Sequence, residues 1–284
     1  MPEGTLPALT AMVLFGLGDL VYKRVAQAGV PAHRFMMAQT WFFSACTALY
    51  GVLTGSLRFE PAVLWAPLAG VFAFGGFYLF ALSLSKGSVS VNAPIFRLSF
   101  VVTATLAVLI LGESVTALKL IGIGLALAAV WMLVGGASAA AFRAARRDSL
   151  TYVLIATAAV GVANLLYKIA MSQGAQPATL LFVQGLCVSA ISMGVTMKRD
   201  GSIRPDARTL RFSVTSGLVI GSAFILLLMS LQKGAASVMV PIAQMGFVVT
   251  AVAGFVFLRE AFTVRTAVGL LLALAALASL AMSG

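Results

Sequence analysis

Long apolar stretches separated by short polar breaks run the length of the chain. A helix that crosses a bilayer needs about 20 mostly apolar residues. Ten stretches meet that requirement: roughly 5–27, 33–54, 63–85, 89–111, 116–136, 150–172, 178–197, 209–231, 236–258 and 263–283. None shows the strict apolar/polar alternation over roughly 10-residue segments that a membrane barrel requires. The breaks carry turn or charge signals, as in Gly29-Val30-Pro31, Gly55-Ser56-Leu57-Arg58, Lys86-Gly87 and Arg259-Glu260. Two are longer: Gly135 to Ser149, with Arg143, Arg146 and Arg147, and Lys198 to Arg211, the most charged stretch. The expected fold is an all-α integral membrane protein of ten transmembrane helices.

The pattern is written twice. Ser83-Leu84-Ser85-Lys86-Gly87 returns as Ser230-Leu231-Gln232-Lys233-Gly234, and Phe100-Val101-Val102-Thr103-Ala104 as Phe247-Val248-Val249-Thr250-Ala251. Between 83–113 and 230–260 roughly half the positions are identical, far above chance for two apolar segments. Gly16, Tyr22, Lys23 and Gln39 match Gly161, Tyr167, Lys168 and Gln184 at a nearby offset. The chain therefore divides into a first five-helix repeat at 1–137, a basic connecting loop at 138–149 and a second five-helix repeat at 150–284. Five is odd, so the second repeat enters the membrane from the opposite side. Such inverted repeats place a substrate near the midplane, at the interface between the halves.

Composition sharpens the class. The 284 residues are 61% hydrophobic and 10% charged, with mean hydropathy +1.05; soluble domains carry about 25% charged residues. The formal net charge of +11 would raise nucleic acid as a partner in a soluble protein. Here Lys and Arg sit between apolar runs and read as topology signals, so no nucleic-acid partner is expected. Cys46 and Cys187 lie inside apolar runs, and no disulfide is expected. The first apolar run reads as a retained helix, without a cleavable leader.

Ten helices in two inverted halves, a Lys near the end of the first helix of each half, Pro94/Pro241 in the fourth and Glu113/Glu260 at its end resemble the EamA-type drug/metabolite transporter superfamily. Gly112-Glu113 matches that family's Gly-Glu pattern; the second copy has Arg259 in place of Gly. The resemblance implies transport of amino acids, drugs, sugar-nucleotides or other small metabolites, without choosing among them. It also implies cytoplasmic termini.

Ionisable residues inside spans are expensive and are functional candidates by default. Asp19, Tyr22 and Lys23 share one face of the first helix, and Asn164, Tyr167 and Lys168 the matching face of the sixth. Two readings stand for the lysines, substrate binding and snorkelling to an interface. Arg97, about eight residues into the fourth helix, has the neutral Gln244 as its repeat partner. It needs a wet cavity or a carboxylate, and Asp19 is the one acid well inside a span. Pro94 and Pro241 should kink their helices, as gating hinges or as fixed packing kinks. Gln39 and Gln184 can bind substrate or a neighbouring helix. Glu113 and Glu260 at helix ends read as structural. The single histidine, His33, falls in a loop, which argues against metal or acid–base chemistry, and no ATP-binding loop of the Walker type exists. No catalytic residue, metal or cofactor is expected.

The leading reading is a secondary transporter, exporter or exchanger, of a small polar metabolite bearing a carboxylate or phosphate, working by alternating access. Tyr22, Lys23, Gln39, Arg97, Asn164, Tyr167, Lys168, Gln184 and Gln244 would bind substrate, and Asp19 would carry a coupling proton. Alternatives are a proton-coupled exporter of drugs or cations, a flippase for a lipid-linked polar group and, from a different class, an intramembrane enzyme. Monomer and homodimer are equally open. A bacterial-type inner (plasma) membrane is the expected location. Lys and Arg concentrate on the side of loops 135–149 and 198–211, so the positive-inside rule puts both termini outside, against the orientation the resemblance implies.

Overall fold

A computed structural model describes residues 3–86, 92, 95–133, 147–258 and 263–283, with the side chains of Lys23, Ala26, Leu84, Ser85 and residues 254–258 outside that description. Pro94, Glu260, Gly284 and loop residues Arg143 and Arg146 lie outside the described residues. The described residues are mostly helical, and no strand occurs among them. In chain order they form α1 (Thr5–Gln27), α2 (Ala32–Leu53), α3 (Trp65–Lys86), α4 (Ser99–Leu111), α5 (Ala117–Leu133), α6 (Arg147–Ser172), α7 (Pro177–Asp200), α8 (Ala207–Lys233), α9 (Ala236–Gln244), α10 (Gly246–Leu258) and α11 (Val264–Met282). A short 3-10 turn, Pro61–Leu64, leads into α3.

Among the described residues, seven segments are long and apolar enough to cross a membrane, with α9 and the start of α10 counting as one, and Ile95–Leu111 and Ala117–Leu133 are shorter apolar helices. The α2 helix has the length, at 22 residues, but its inward face is polar, with Gln39, Ser44 and Thr47 buried.

Local chemistry sets the helix ends. Pro177 opens α7, where a missing N–H costs nothing, and Gly201 closes it with φ +65°. The Asp206 side chain caps α8 by accepting a hydrogen bond from the Thr209 amide at 2.9 Å. Hydrogen bonding to Thr209 holds the Asp206 carboxyl below its usual range. A depressed pKa stabilises the fold above the unfolded value, and that stabilisation is lost as pH falls through the folded value. The melting temperature of Asp206→Ala is therefore expected to lie below that of the parent at neutral pH. The gap should close as pH drops below about 4. A gap that is constant with pH would show that the cap does not depend on the charge.

The fourth helix of each repeat is broken at matched positions. Leu98 and Met245 are non-helical. Around each the backbone bonds tighten in the same way, with Leu98 N to Ile95 O at 3.0 Å and Met245 N to Ile242 O at 3.1 Å. Pro241 lies inside α9, four residues before its break. Each break packs on a glycine of the other repeat. A Cβ at Gly16 would lie 2.5 Å from the Gly246 carbonyl oxygen, and one at Gly161 would lie 3.3 Å from the Ser99 carbonyl oxygen. Only glycine lets the backbones approach so closely.

Packing partners exchange when the two repeats are exchanged. The α1 helix packs on α8, and its counterpart α6 on α3; α1 also packs on α9 and α10, and α6 on α4. The α2–α7 and α5–α11 pairs map onto themselves. Side-chain contacts follow suit. Thr250 Oγ1 donates to the Gly16 carbonyl at 3.2 Å, and Thr103 Oγ1 to the Gly161 carbonyl at 3.3 Å.

Each end of the bundle is tied by its own contacts. At one end, near the termini, Lys233 Nζ meets Glu3 Oε2 at 3.2 Å and Trp65 Nε1 donates to Gln173 Oε1 at 2.8 Å. At the other end, His33 Nε2 meets Asp200 Oδ2 at 2.8 Å, Arg34 Nε donates to the same oxygen at 2.5 Å, and Arg208 donates to the Ala28 carbonyl at 3.2 Å. His33 is thus at the start of α2, in a surface ion-pair cluster.

Candidate functional site

The breaks at Leu98 and Met245 bring the expected polar residues toward the centre of the bundle. Arg97 ends the helical turn that precedes Leu98. Its guanidinium forms a salt bridge with the Asp19 carboxylate of α1, one turn beyond Gly16. The pair lies in the interior yet stays partly accessible: the Arg97 side chain is 17% exposed and that of Asp19 is 32% exposed. Thr250, on α10 of the second repeat, donates to the carbonyl of Gly16, one turn from Asp19, and to that of Gly246.

The second repeat holds the same arrangement with the charges removed. Asn164 takes the place of Asp19 and donates from Nδ2 to Thr103 Oγ1 at 3.3 Å. Gln244 takes the place of Arg97 and is half-buried, with no hydrogen-bond partner among the described residues. Matched positions in matched helices form the two sides of the site, and only the first repeat carries charge there.

The tyrosine–glutamine pairs flank this centre and also differ. Tyr22 OH donates to Gln39 Oε1 at 2.7 Å. In the other repeat, Tyr167 is 1% exposed and Gln184 is 5% exposed; the two are neighbours, but among the described residues neither the Tyr167 hydroxyl nor Gln184 Oε1 has a partner within hydrogen-bonding distance. An unmet hydrogen bond on a buried polar atom costs about 1–3 kcal/mol. Ser216 Oγ, fully buried on α8 near Tyr22, is likewise without a partner within hydrogen-bonding distance among the described residues. Beneath lies an aromatic floor, where Phe15, Phe43 and Tyr167 each meet Phe224 edge to face at ring-centroid distances of 5.2, 5.9 and 6.0 Å.

Lys168 stands apart from this group. Its ammonium donates to the carbonyl oxygens of Leu231 at 2.8 Å and Gly234 at 2.6 Å, at the C-terminal end of α8. A cation satisfies helix-end carbonyls and the helix dipole together. The side chain of Lys23, its repeat partner, lies outside the described residues, as does Pro94. Glu113 is likewise committed, its carboxylate accepting from the amides of Ala236 and Ser237. No cluster of side chains among the described residues could hold a metal ion.

The EamA-like transporter family matches the sequence twice, over residues 3–135 and again over 149–282. The chain belongs to the EamA-like transporter family. The two matches coincide with the two repeats and together span nearly the whole chain. An EamA-like transporter is a multi-pass membrane protein, and its small-molecule cargo meets it within the bilayer. A solved structure described only as "Crystal structure of protein" shares the fold, with TM-score 0.84 at 15% identity, over 100% of this chain and 99% of that one. No curated protein matches the sequence.

Several parts of this candidate site were not read from the sequence. Thr103 and Thr250 sit inside the repeated Phe-Val-Val-Thr-Ala segment, and their recurrence was a usable signal. Ser216 has no polar repeat partner and carried none. The helix breaks fall four residues beyond the position of each proline, at Leu98 and Met245, where the sequence offers only Leu, Met and their small neighbours Ser99 and Gly246.

Proposed function

We propose that this EamA-like protein is a secondary transporter of a small polar metabolite bearing a carboxylate or phosphate. It would cross the membrane ten times as two inverted five-helix repeats, 1–137 and 150–284, joined by the basic segment 138–149. Transport would proceed by alternating access, one repeat moving against the other around a central site. The observation that carries the reading is the Arg97–Asp19 pair beside a broken helix, opposite the neutral Asn164 and Gln244. Without cargo, Asp19 neutralises Arg97. An incoming anion competes for the guanidinium, whose planar fork suits carboxylate and phosphate, and frees Asp19 to take up a proton. Tyr22, Gln39, Asn164, Gln244 and the unpaired Tyr167 and Gln184 would supply the neutral contacts. Lys168 is spent on carbonyl oxygens, so the preference for anions rests on Arg97.

A ligand-induced shift in melting temperature tests the reading without knowledge of the cargo. Anything that binds only the folded state stabilises it by mass action. A panel of carboxylates and phosphates should contain compounds that raise the melting temperature of the parent and not of Arg97→Gln. A panel in which only organic cations act would refute the anion site. That outcome belongs to a second reading, export of a cation through Asp19, favoured by the greater accessibility of Asp19 within the pair.

The location follows from charge. We place the protein in a bacterial-type inner membrane with both termini outside, because Arg24, Lys198, Arg199, Arg204, Arg208 and Arg211 lie toward the end opposite Glu3. A periplasm-active phosphatase fused after residue 284 should be active. A cytoplasmic fluorescent reporter that folds at the same position would reverse the assignment.

A further inference from the structure

The α9 helix begins without a cap of its own. Its N-cap residue, Ala235, offers no side-chain acceptor. The first amides of a helix must find acceptors elsewhere, and they carry the positive end of the helix dipole. Here the acceptor comes from the other repeat. The α4 helix stops at Gly112, which adopts φ +66°, a left-handed conformation that favours glycine. This turn sends Glu113 across the repeat boundary. Glu113 Oε1 accepts from the Ala236 amide at 2.6 Å, and Oε2 accepts from the Ser237 amide at 2.9 Å and from the Ser237 hydroxyl. Lys168 holds the carbonyls on the other side of the same α8–α9 turn.

This clasp sits at the end of the bundle where burial is greatest. Tyr167, Leu227, Leu228, Ile242 and Met245 are all buried. Their repeat partners toward the other end, Tyr22, Phe80, Ala81, Ile95 and Leu98, are each only half-buried. Matched positions in matched helices thus differ in one direction. The end that holds the termini is sealed, and the opposite end is looser. A protein with alternating access must at some point reverse that difference.

We propose that Glu113 is the latch of the sealed end. Its carboxylate ties the end of α4 to the start of α9, and release of Ala236 and Ser237 accompanies opening of that end. The proposal rests on the transporter reading only in requiring that both ends open in turn; it is indifferent to the cargo. A mere helix cap would hold the first turn of α9 and nothing more. A latch sets the balance between two states of the whole bundle, and a change in that balance moves both ends in opposite directions.

Hydrogen–deuterium exchange of the full chain in lipid nanodiscs, without ligand, separates these. In Glu113→Gln, amides over 238–245 and 225–231 should exchange roughly tenfold faster, the shift expected from loss of one charge-assisted hydrogen bond. Amides over 18–25 and 77–83 should exchange more slowly, because the looser end closes. Ser237→Ala removes only the hydroxyl donor and should give the same reciprocal pattern at reduced size, and it carries the test if Glu113→Gln does not fold. Faster exchange confined to 236–239, a uniform rise at both ends, or no change in a folded variant would overturn the latch. None of these outcomes bears on Arg97, so the anion-site reading stands or falls separately.

Discussion

Transport by Arg97→Gln is expected to fall by about 100-fold or more, the effect of removing one side of a hydrogen-bonded charge pair. The same change strips Asp19 of its counter-charge. In a fully enclosed pair that costs about 3–5 kcal/mol. Here solvent reaches the pair, so we expect about 2 kcal/mol and a lower melting temperature. The double variant Asp19→Asn/Arg97→Gln separates the two effects. It gives the first repeat the residues that the second already uses at Asn164 and Gln244, in the same surroundings beside Thr250 and Thr103. Its melting temperature should recover toward that of the parent, while transport should stay lost. Recovery of both would make the pair structural, and recovery of neither would mean that the two repeats are not interchangeable at these positions.

The second large effect concerns Asp19 alone. In the proposed cycle, Asp19 leaves Arg97 when cargo arrives and then carries a proton. Asp19→Asn removes the proton site and leaves a neutral amide of the same shape. Accumulation driven by a pH gradient across proteoliposomes should disappear, whereas one-for-one exchange of cargo should persist, because Arg97 remains. Normal accumulation in Asp19→Asn would confine Asp19 to neutralising Arg97.

Much of the fold was legible because hydrophobic length and internal repetition are properties of the sequence itself. The repeat matches Gly16 to Gly161 and Thr103 to Thr250, and each pair makes equivalent contacts with the other repeat. The need of Arg97 for a carboxylate or a wet cavity was likewise readable from the energetic cost of burying a charge; the partner it found is Asp19. Lys168 was less legible. A lysine in a span has several ways to satisfy its protons, and only three dimensions reveal that the carbonyls of Leu231 and Gly234 lie within reach. Glu113 shows the same limit. Its position at a helix end marked it as structural, but the helix it caps belongs to the other repeat, 123 residues along the chain. The polar face of α2 is a third case. The sequence places Gln39, Ser44 and Thr47 in one apolar run, and only packing reveals that they are buried.

The central claim is that the chain carries a small anion-bearing solute through a site built on Arg97. Counterflow in proteoliposomes tests it most directly. Vesicles containing the purified protein would be preloaded in turn with unlabelled carboxylates, phosphates and quaternary ammonium compounds, and entry of the labelled counterpart measured. The account predicts saturable entry of at least one carboxylate or phosphate, blocked by related anions and absent with Arg97→Gln. Entry of quaternary ammonium compounds alone, or anion entry undiminished in Arg97→Gln, would contradict it.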